Sequence, residues 1–560
     1  MEARLLAAVD ETMPRFNAKV IEGYHKEQFD LGHKIYEHYL KQLFKYLPKK
    51  GVRYKGLELV QPKEFIRMLN ESSTKICDIH RETVYPIKHH FEYCDHGTWV
   101  PLKPTYQMLS YTNEYGDIFL RNSFYNLTLV LSDRGLSVTK ENSIFIKILG
   151  YKFKVTTEPF RYSSVITSEG FVSTEPVDIN ISCNRFYSPH LSRRIDPKVK
   201  IPRPLLSWYI FGNMGFTEAM SRYSECEFEM GKTDTVTELC RSDQGWHVMK
   251  GYGGPLNRSL GRIVDNDFAI AIRNKNKQRK ELSPMGLNYA ASLLYVSECC
   301  STYFDMSQID NPSYWRLIIG RCSVKSNDPD EYIIKLMNEH FDSVDEYLDD
   351  DSIKRFRRQG IDCSDMYDLL NYISIHRGEI VQTADRGNML GKELTSIEHT
   401  LDVLLTAANG FNHDVKNTSD LTQRKVERLL TAHFKLKKID HSYRSNMELV
   451  NTPTDCPMTE HALRIISQDK VNPPKGQGSK EFDPMDSANL IHASIPFVTS
   501  YLRITEPNPD GRGHANPCIY LENDKVTSIN PDLIPLYESI KKRLEIRDSK
   551  NVQQLDQTDE

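Results

Sequence analysis

The segment Asp385–Leu405, DRGNMLGKELTSIEHTLDVLL, restricts the folds open to this chain more than any other. Its apolar residues Leu390, Leu394, Ile397, Leu401, Leu404 and Leu405 recur at intervals of four, three, four, three and one. That spacing predicts one face of a helix, with Lys392, Glu393, Glu398 and Asp402 turned to solvent. Asp385 or Asn388 can cap its start, and Asn409-Gly410 supplies a left-handed stop. Taken alone, the pattern specifies a capped amphipathic helix and nothing more.

At 560 residues the chain is too long for one small domain, and its length predicts roughly three or four units with ample core. An apolar content of 39% and a charged content of 26% fit an ordinary soluble globular protein. The longest apolar run, Leu205–Phe211, falls far short of the roughly 18 residues of a membrane span. The opening MEARLLAAVDETMPRF carries acids within its apolar part and has no small-residue cleavage site, so no secretory signal is expected. Eleven cysteines, an odd number without a framework, point to a reducing, intracellular compartment. The net charge of −4 argues against a simple nucleic-acid coat. Basic clusters at Arg193–Arg203, Arg273–Lys280, Lys354–Arg358 and Arg424–Lys438 still permit contact with phosphate.

Residues 1–70 read as mainly helical, because Leu31, Ile35, Tyr36, Tyr39, Leu40, Leu43 and Phe44 keep a helical period until Pro48-Lys49-Lys50-Gly51 breaks it. Thr98–Thr157 changes to β texture, with Ile118–Leu120, Leu127–Leu131, Ile144–Leu149 and Phe153–Val155 separated by turn residues. Between them lies a dense group of Cys77, His80, His89, His90, Cys94 and His96. Four of these six could ligate zinc, yet the spacing has no C-x2-C knuckle, and a loop of ordinary histidines fits as well. Gly251-Tyr252-Gly253-Gly254 lacks the GK[ST] ending of a phosphate loop. Cys299-Cys300 reads as core, since a nucleophile needs a partnered base that the sequence does not display. Arg424–Leu436 reads as a basic helix with Val426, Leu429, Leu430 and Phe434 inward and His433 as a structural partner. Residues 451–482, rich in Pro, Gly and Lys, read as a surface connector.

Several stretches, in order, resemble the large β subunit of multisubunit RNA polymerases. Asn113–Leu120 resembles its Gly-Asp-Ile-Pro segment. Tyr162–Met220 resembles the start of its lobe: Val165-Ile166-Thr167, Gly170-Phe171, Arg193-Arg194, Lys200-Ile201-Pro202 and a helix Leu205–Asn213 stopped by Gly215, with Thr217 capping the next turn. Tyr314–Arg321, Glu331–His340, Phe341–Leu348 and Met366–His376 stand in register with later lobe helices. Asp385-Arg386-Gly387-Asn388 and Gly391-Lys392-Glu393-Leu394 resemble the Asp-Arg-Asp-His and Asn-Lys-Arg-Leu segment where the chain returns to the domain called the protrusion. Asp483–Ile519 resembles the fork, through Met485, Asp486, Asn489 and His492, then Gly511-Arg512 and Pro517-Cys518. There Ala493-Ser494-Ile495 replaces a basic Lys-Arg-Arg, and Leu521-Glu522-Asn523-Asp524 stands where a Glu-Thr-Pro-Glu-Gly signature belongs.

The resemblance implies an α+β, multidomain fold of protrusion, lobe and fork. Its expected boundaries are 1–160 for the first part of the protrusion, 161–384 for the lobe, 385–480 for the return segment and connector, and 481–560 for the fork and a C-terminal helix. It also implies the N-terminal half of a β subunit split into two polypeptides, as in phiKZ-type giant bacteriophages, with the non-virion polymerase favoured over the virion one. The D-F-D-G-D acid cluster that holds magnesium in these enzymes is missing from the sequence: Asp510-Gly511 is a turn signal, and Asp349-Asp350-Asp351 opens a solvated helix. The chain is thus expected to be part of a nucleotidyltransferase without a complete catalytic site or metal of its own, Mg2+ being held by another subunit.

Arg386, Lys392, Arg424, Lys425, Arg503 and Arg512 are the cations expected to face nucleic acid through phosphate, and Asp486, Asn489, His492 and His514 the residues expected to order the fork. The implied partners are the C-terminal half of β, split β′ subunits, a promoter-specificity subunit, template DNA and transcript, without a membrane. The implied setting is the host cytoplasm or a phage replication compartment. Two other classes stay open: a non-enzymatic phage DNA-binding or structural protein, and a zinc enzyme built on Cys77–His96. Because the rifamycin surface of bacterial enzymes lies in the altered fork, the assembled enzyme is expected to complete run-off transcripts at a rifampicin dose that stops a bacterial polymerase. Inhibition at that dose would contradict the fork comparison.

Overall fold

In the computed structural model, residues 32–434 are described apart from 72–83, 112–116, 185–203, 252–266, 277–280, 300–303, 323–327, 385–387 and breaks of one to three residues. Beyond them the description covers 447–450, 464–467 and parts of 494–527. The chain divides into two compact units. Met1–Arg134, Asp385–Asn412 and Asp420–Glu560 make the first; Gly135–Ala384 and His413–Ser419 make the second. Among the described residues, no helix is long and apolar enough to cross a membrane.

Among the described residues, the first unit begins with α1 (Gly32–Leu43), a 3-10 helix (Leu47–Lys50), β1 (Val52–Leu59) and α2 (Pro62–Glu71). The mainly helical expectation for residues 1–70 therefore fails at β1, whose residues pair antiparallel along β2 (Val84–Asp95). Such pairing is non-local and leaves no trace in a helical period. β3 (Thr98–Pro101) and β4 (Thr105–Ser110) complete a four-stranded sheet by pairing successive halves of β2. Along β2 the side chains alternate as the pleat demands. Ile87, His89 and Phe91 are buried, while Lys88 and His90 reach Glu64 and Glu58. β1 carries a bulge between Tyr54 and Gly56, where φ is +146° and an added Cβ would lie 2.8 Å from Glu37 Oε1. β5 (Asp117–Leu120), β6 (Ser123–Leu127) and β7 (Leu129–Ser132) follow.

The second unit starts with β8 (Leu136–Val138), β9 (Ile144–Ile148), β10 (Tyr151–Ser168) and β11 (Phe171–Cys183). β10 pairs first with β9, then with β11 from Thr156 to Ser168. Next come α3 (Leu206–Met214), α4 (Phe216–Ala219), β12 (Cys226–Gly231), α5 (Thr233–Ser242), β13 (His247–Gly251) and β14 (Ala269–Asn274). β14 and β13 link β12 to β10 in a seven-stranded sheet. The helices α6 (Pro284–Cys299), α7 (Pro312–Arg321), α8 (Asp330–Phe341), α9 (Asp350–Arg358) and α10 (Met366–Thr383) supply most of the remaining core.

The centre of that core is α3, buried from Leu206 to Gly212. Trp208 Nε1 donates to the Ser292 carbonyl at 3.2 Å, so the indole is buried without an orphaned donor. Gly212 lets α8 approach, since a Cβ there would fall 2.6 Å from the Phe341 ring. Gly215, at φ +88°, stops α3 as expected. Thr217 is not a cap: its N–H donates to Asp310 Oδ1 at 2.8 Å, so an acid from a distant turn does that work. Cys299 ends α6, and Cys300 lies outside the described residues. Asp349 caps α9 by accepting the Ser352 N–H at 2.8 Å.

The return half of the first unit begins with β15 (Glu393–Thr395), α11 (Ile397–Asn417) and α12 (Gln423–His433). It continues with β16 (Met447–Val450), β17 (Arg464–Ser467), β18 (Arg512–His514), β19 (Leu521–Glu522) and β20 (Lys525–Val526). The helix expected from Asp385 to Leu405 thus starts only at Ile397. Gly391, at φ +84°, turns the chain, and Glu393–Thr395 finds strand partners on both edges. Asn409-Gly410 does not stop the helix either. Gly410 sits mid-helix because a Cβ there would lie 2.8 Å from the His433 ring of α12. The last turn of α11 belongs to the second unit, where Lys416 Nζ donates to Glu346 Oε2 at 2.7 Å.

An aromatic cluster binds these segments of the first unit together. Phe44, Tyr54, Phe91, Phe411 and Phe434 pack with neighbouring centroids 5.0–5.9 Å apart. Such pairs contribute about 0.5–1.5 kcal/mol each beyond their burial. His89 lies against Phe434 at 5.0 Å and is fully buried. Its Nε2–H donates to Gln107 Oε1 at 3.0 Å, and its Nδ1 faces the Tyr54 hydroxyl at 3.4 Å, an arrangement that suits the neutral ring. Tyr36 donates to the same Gln107 oxygen at 2.8 Å.

Burial drives the His89 imidazole from 6.5 down to about 3, which the Gln107 hydrogen bond only partly opposes. The unfolded chain therefore takes up a proton that the folded one refuses. This contribution to stability is complete above pH 6.5 and is lost as pH falls towards about 3, by up to about 1.4 kcal/mol per pH unit. Thermal unfolding of His89→Leu should consequently depend less steeply on pH in that window than the parent protein. Equal steepness would show that His89 is not held neutral.

Candidate nucleic-acid interface

The strand that precedes the inserted unit lies beside the strand that follows it. β15 pairs antiparallel with β7, matching Glu393 to Ser132, Leu394 to Leu131 and Thr395 to Val130. β20 pairs with the other edge of β15, through Glu393 and Lys525. β17 runs parallel to β7, and β18 and β19 complete a six-stranded sheet drawn from distant parts of the first unit. Leu131, Leu394, Val498, Ile519 and Val526 form its buried cluster.

The residues before β15 are sewn into this sheet rather than wound into a helix. Asn388 Oδ1 accepts the Leu390 N–H at 3.0 Å, an Asx turn in place of the expected helix cap. Ser494 Oγ accepts the Met389 N–H at 2.7 Å. Gly391 N–H donates to the Val526 carbonyl, and Val526 N–H donates to the Lys392 carbonyl, both at 2.8 Å. Ser494 therefore supports the main chain of the return turn.

The expected cations fare differently. Lys392 is only 2% exposed, so its solvent-facing placement was wrong: the turn into β15 carries it into the sheet. Arg424 and Lys425 are exposed on the first turn of α12. Arg512 and His514 lie on β18, opposite Ile466 and Arg464. Arg386, Arg503, Asp486, Asn489 and His492 lie outside the described residues.

Electrostatics single out the start of α12. Thr422 caps it by accepting the Lys425 N–H at 3.4 Å, and the first turn holds no acid. Placing Arg424 and Lys425 at the positive end of a helix opposes its dipole, at a cost of about 0.3–1 kcal/mol for each charge. Lys425 Nζ donates to the Asp420 main-chain carbonyl at 2.8 Å, a neutral acceptor that itself supplies no counter-charge. A phosphate would relieve both conflicts.

The described members of the Cys/His group do not converge. The period of β2 turns His89 inward and His90 to the opposite face. Cys94 lies against Gly51, and His96 stands almost wholly exposed in the following turn. Cys77 and His80 lie outside the described residues. Among those described, no group of three or more His, Cys, Asp or Glu is placed to hold a metal ion.

Comparison with known proteins agrees with a transcription role. No curated protein sequence matches the chain. Residues 4–485, most of its length, match the family described as non-virion RNA polymerase subunit. The chain belongs to the non-virion RNA polymerase subunit family.

Proposed function

We propose that the chain is the N-terminal portion of a split β subunit of a phage multisubunit RNA polymerase, forming one side of the DNA channel and the fork beside the active centre. The observation that carries this reading is the pairing of β7 with β15. A compact unit running from Gly135 to Ala384 interrupts a body whose two flanking segments share one sheet, which is the lobe-in-protrusion order that the sequence resemblance implies. In this reading the inserted unit is the lobe, beginning at Gly135 rather than at 161. The remainder supplies protrusion and fork. The fork residues Asp486, Asn489, His492 and His514 order a loop that overhangs Mg2+ held by another subunit. Arg386, Arg424, Lys425, Arg503 and Arg512 face the nucleic-acid backbone, contacts that set register rather than sequence.

Co-expression with the other phage subunits tests the assignment. The tagged chain should co-purify with a chain that continues β beyond the fork and with two more that carry the metal-binding acids, and the complex should extend transcripts with Mg2+. A stable homo-oligomer that ignores those chains would favour a DNA-binding or structural protein instead. Within the assembled enzyme, Arg512→Ala should lower elongation increasingly as salt is raised, while assembly is unchanged. Parental elongation at raised salt would remove Arg512 from the nucleic-acid contacts.

A further inference from the structure

Two exposed cationic stretches, far apart in sequence, border one end of the four-stranded sheet. The first is the 3-10 helix Leu47–Lys50, with Lys49 and Lys50 exposed and Lys45 just ahead of it. The second is the start of α12, with exposed Arg424 and Lys425 and, one turn on, exposed Arg428. Consecutive residues of β2 fasten both. Cys94 N–H donates to the Gly51 carbonyl at 2.9 Å, and the Tyr93 hydroxyl donates to the Leu421 carbonyl at 2.9 Å. The same Tyr93 pairs with Val52, the first residue after the 3-10 turn.

Charge at this end is lopsided. Among the described residues of these segments the acids are Glu92, which pairs with Arg53, and Asp95, Asp420 and Glu427, the last of which already accepts from Gln423 at 3.2 Å. Against them stand Lys50, Arg424, Lys425 and Arg428, besides Lys45 and Lys49, and the positive end of α12 adds to the same field. The Tyr46 ring has the ammonium groups of Lys49 and Lys45 over it, 5.0 and 5.8 Å from its centroid. Its face is therefore covered, and it does not offer the open aromatic platform on which single-stranded bases stack. Of the polyanions available to a transcription protein, duplex DNA presents charge most densely, about one phosphate per 1.7 Å.

We propose that Lys50, Arg424, Lys425 and Arg428 form one phosphate-binding surface that grips the backbone of duplex DNA without reading its sequence. The proposal deepens the nucleic-acid reading of Arg424 and Lys425 above, but it does not depend on the β-subunit assignment. The test measures binding of the full chain to a fluorescent random-sequence duplex over a salt series from about 50 to about 200 mM. The combined variant Lys50→Gln, Arg424→Gln, Lys425→Gln, Arg428→Gln should bind more weakly, with its log–log salt slope reduced by roughly 3 to 4; each single variant should lower the slope by about 0.9.

An unchanged slope in the four single variants would overturn the proposal. So would tighter binding of a single-stranded RNA of equal length that is itself the binding lost in the combined variant. Neither result bears on whether the chain co-purifies with polymerase subunits, so the two readings fail separately.

Discussion

A pairing three residues long, Glu393–Thr395 against Val130–Ser132, decides whether the first unit can close around its insertion. Bringing together the ends of so long a loop costs roughly 5 kcal/mol in chain entropy. Three residues of strand cannot offset that alone, since each net hydrogen bond contributes only about 1 kcal/mol. The difference comes from Leu131, Leu394, Val498, Ile519 and Val526, which bury together at this point and contribute about 1.5–3 kcal/mol each. The insertion is thus tolerated because its two ends meet inside an apolar cluster rather than on an open surface.

The same cluster ties late parts of the chain to the point of return. Val498 and Ile519 come from the stretch read as fork, and Ser494 holds the Met389 amide.

Much of the second unit was legible because its elements carry local signals. The helices at Pro312–Arg321, Asp330–Phe341 and Met366–Thr383 have strong caps or apolar faces, and Gly215 stops α3 where a left-handed residue was needed. The misreadings share one cause. Leu390 and Leu394 keep a helical interval by coincidence, while the partners that make Glu393–Thr395 a strand lie at Val130–Ser132 and Lys525. Lys392 looked solvent-facing for the same reason and is buried. Gly410 looked like a stop, and it is instead the space into which His433 packs. β1 was invisible because only β2 makes it a strand.

The candidate interface was half legible on similar grounds. A basic helix at Arg424 shows in any charge count, and its link to Lys50 passes through Tyr93 and Cys94, which no periodicity marks. The most direct measurement of the central assignment is a cryo-electron microscopy reconstruction of the transcribing complex. The expected result is an inserted unit, Gly135–Ala384, lining the DNA channel and a strand Arg512–His514 close to the nucleic acid near bound Mg2+. A chain lying on the periphery, with neither element near DNA or transcript, would contradict it.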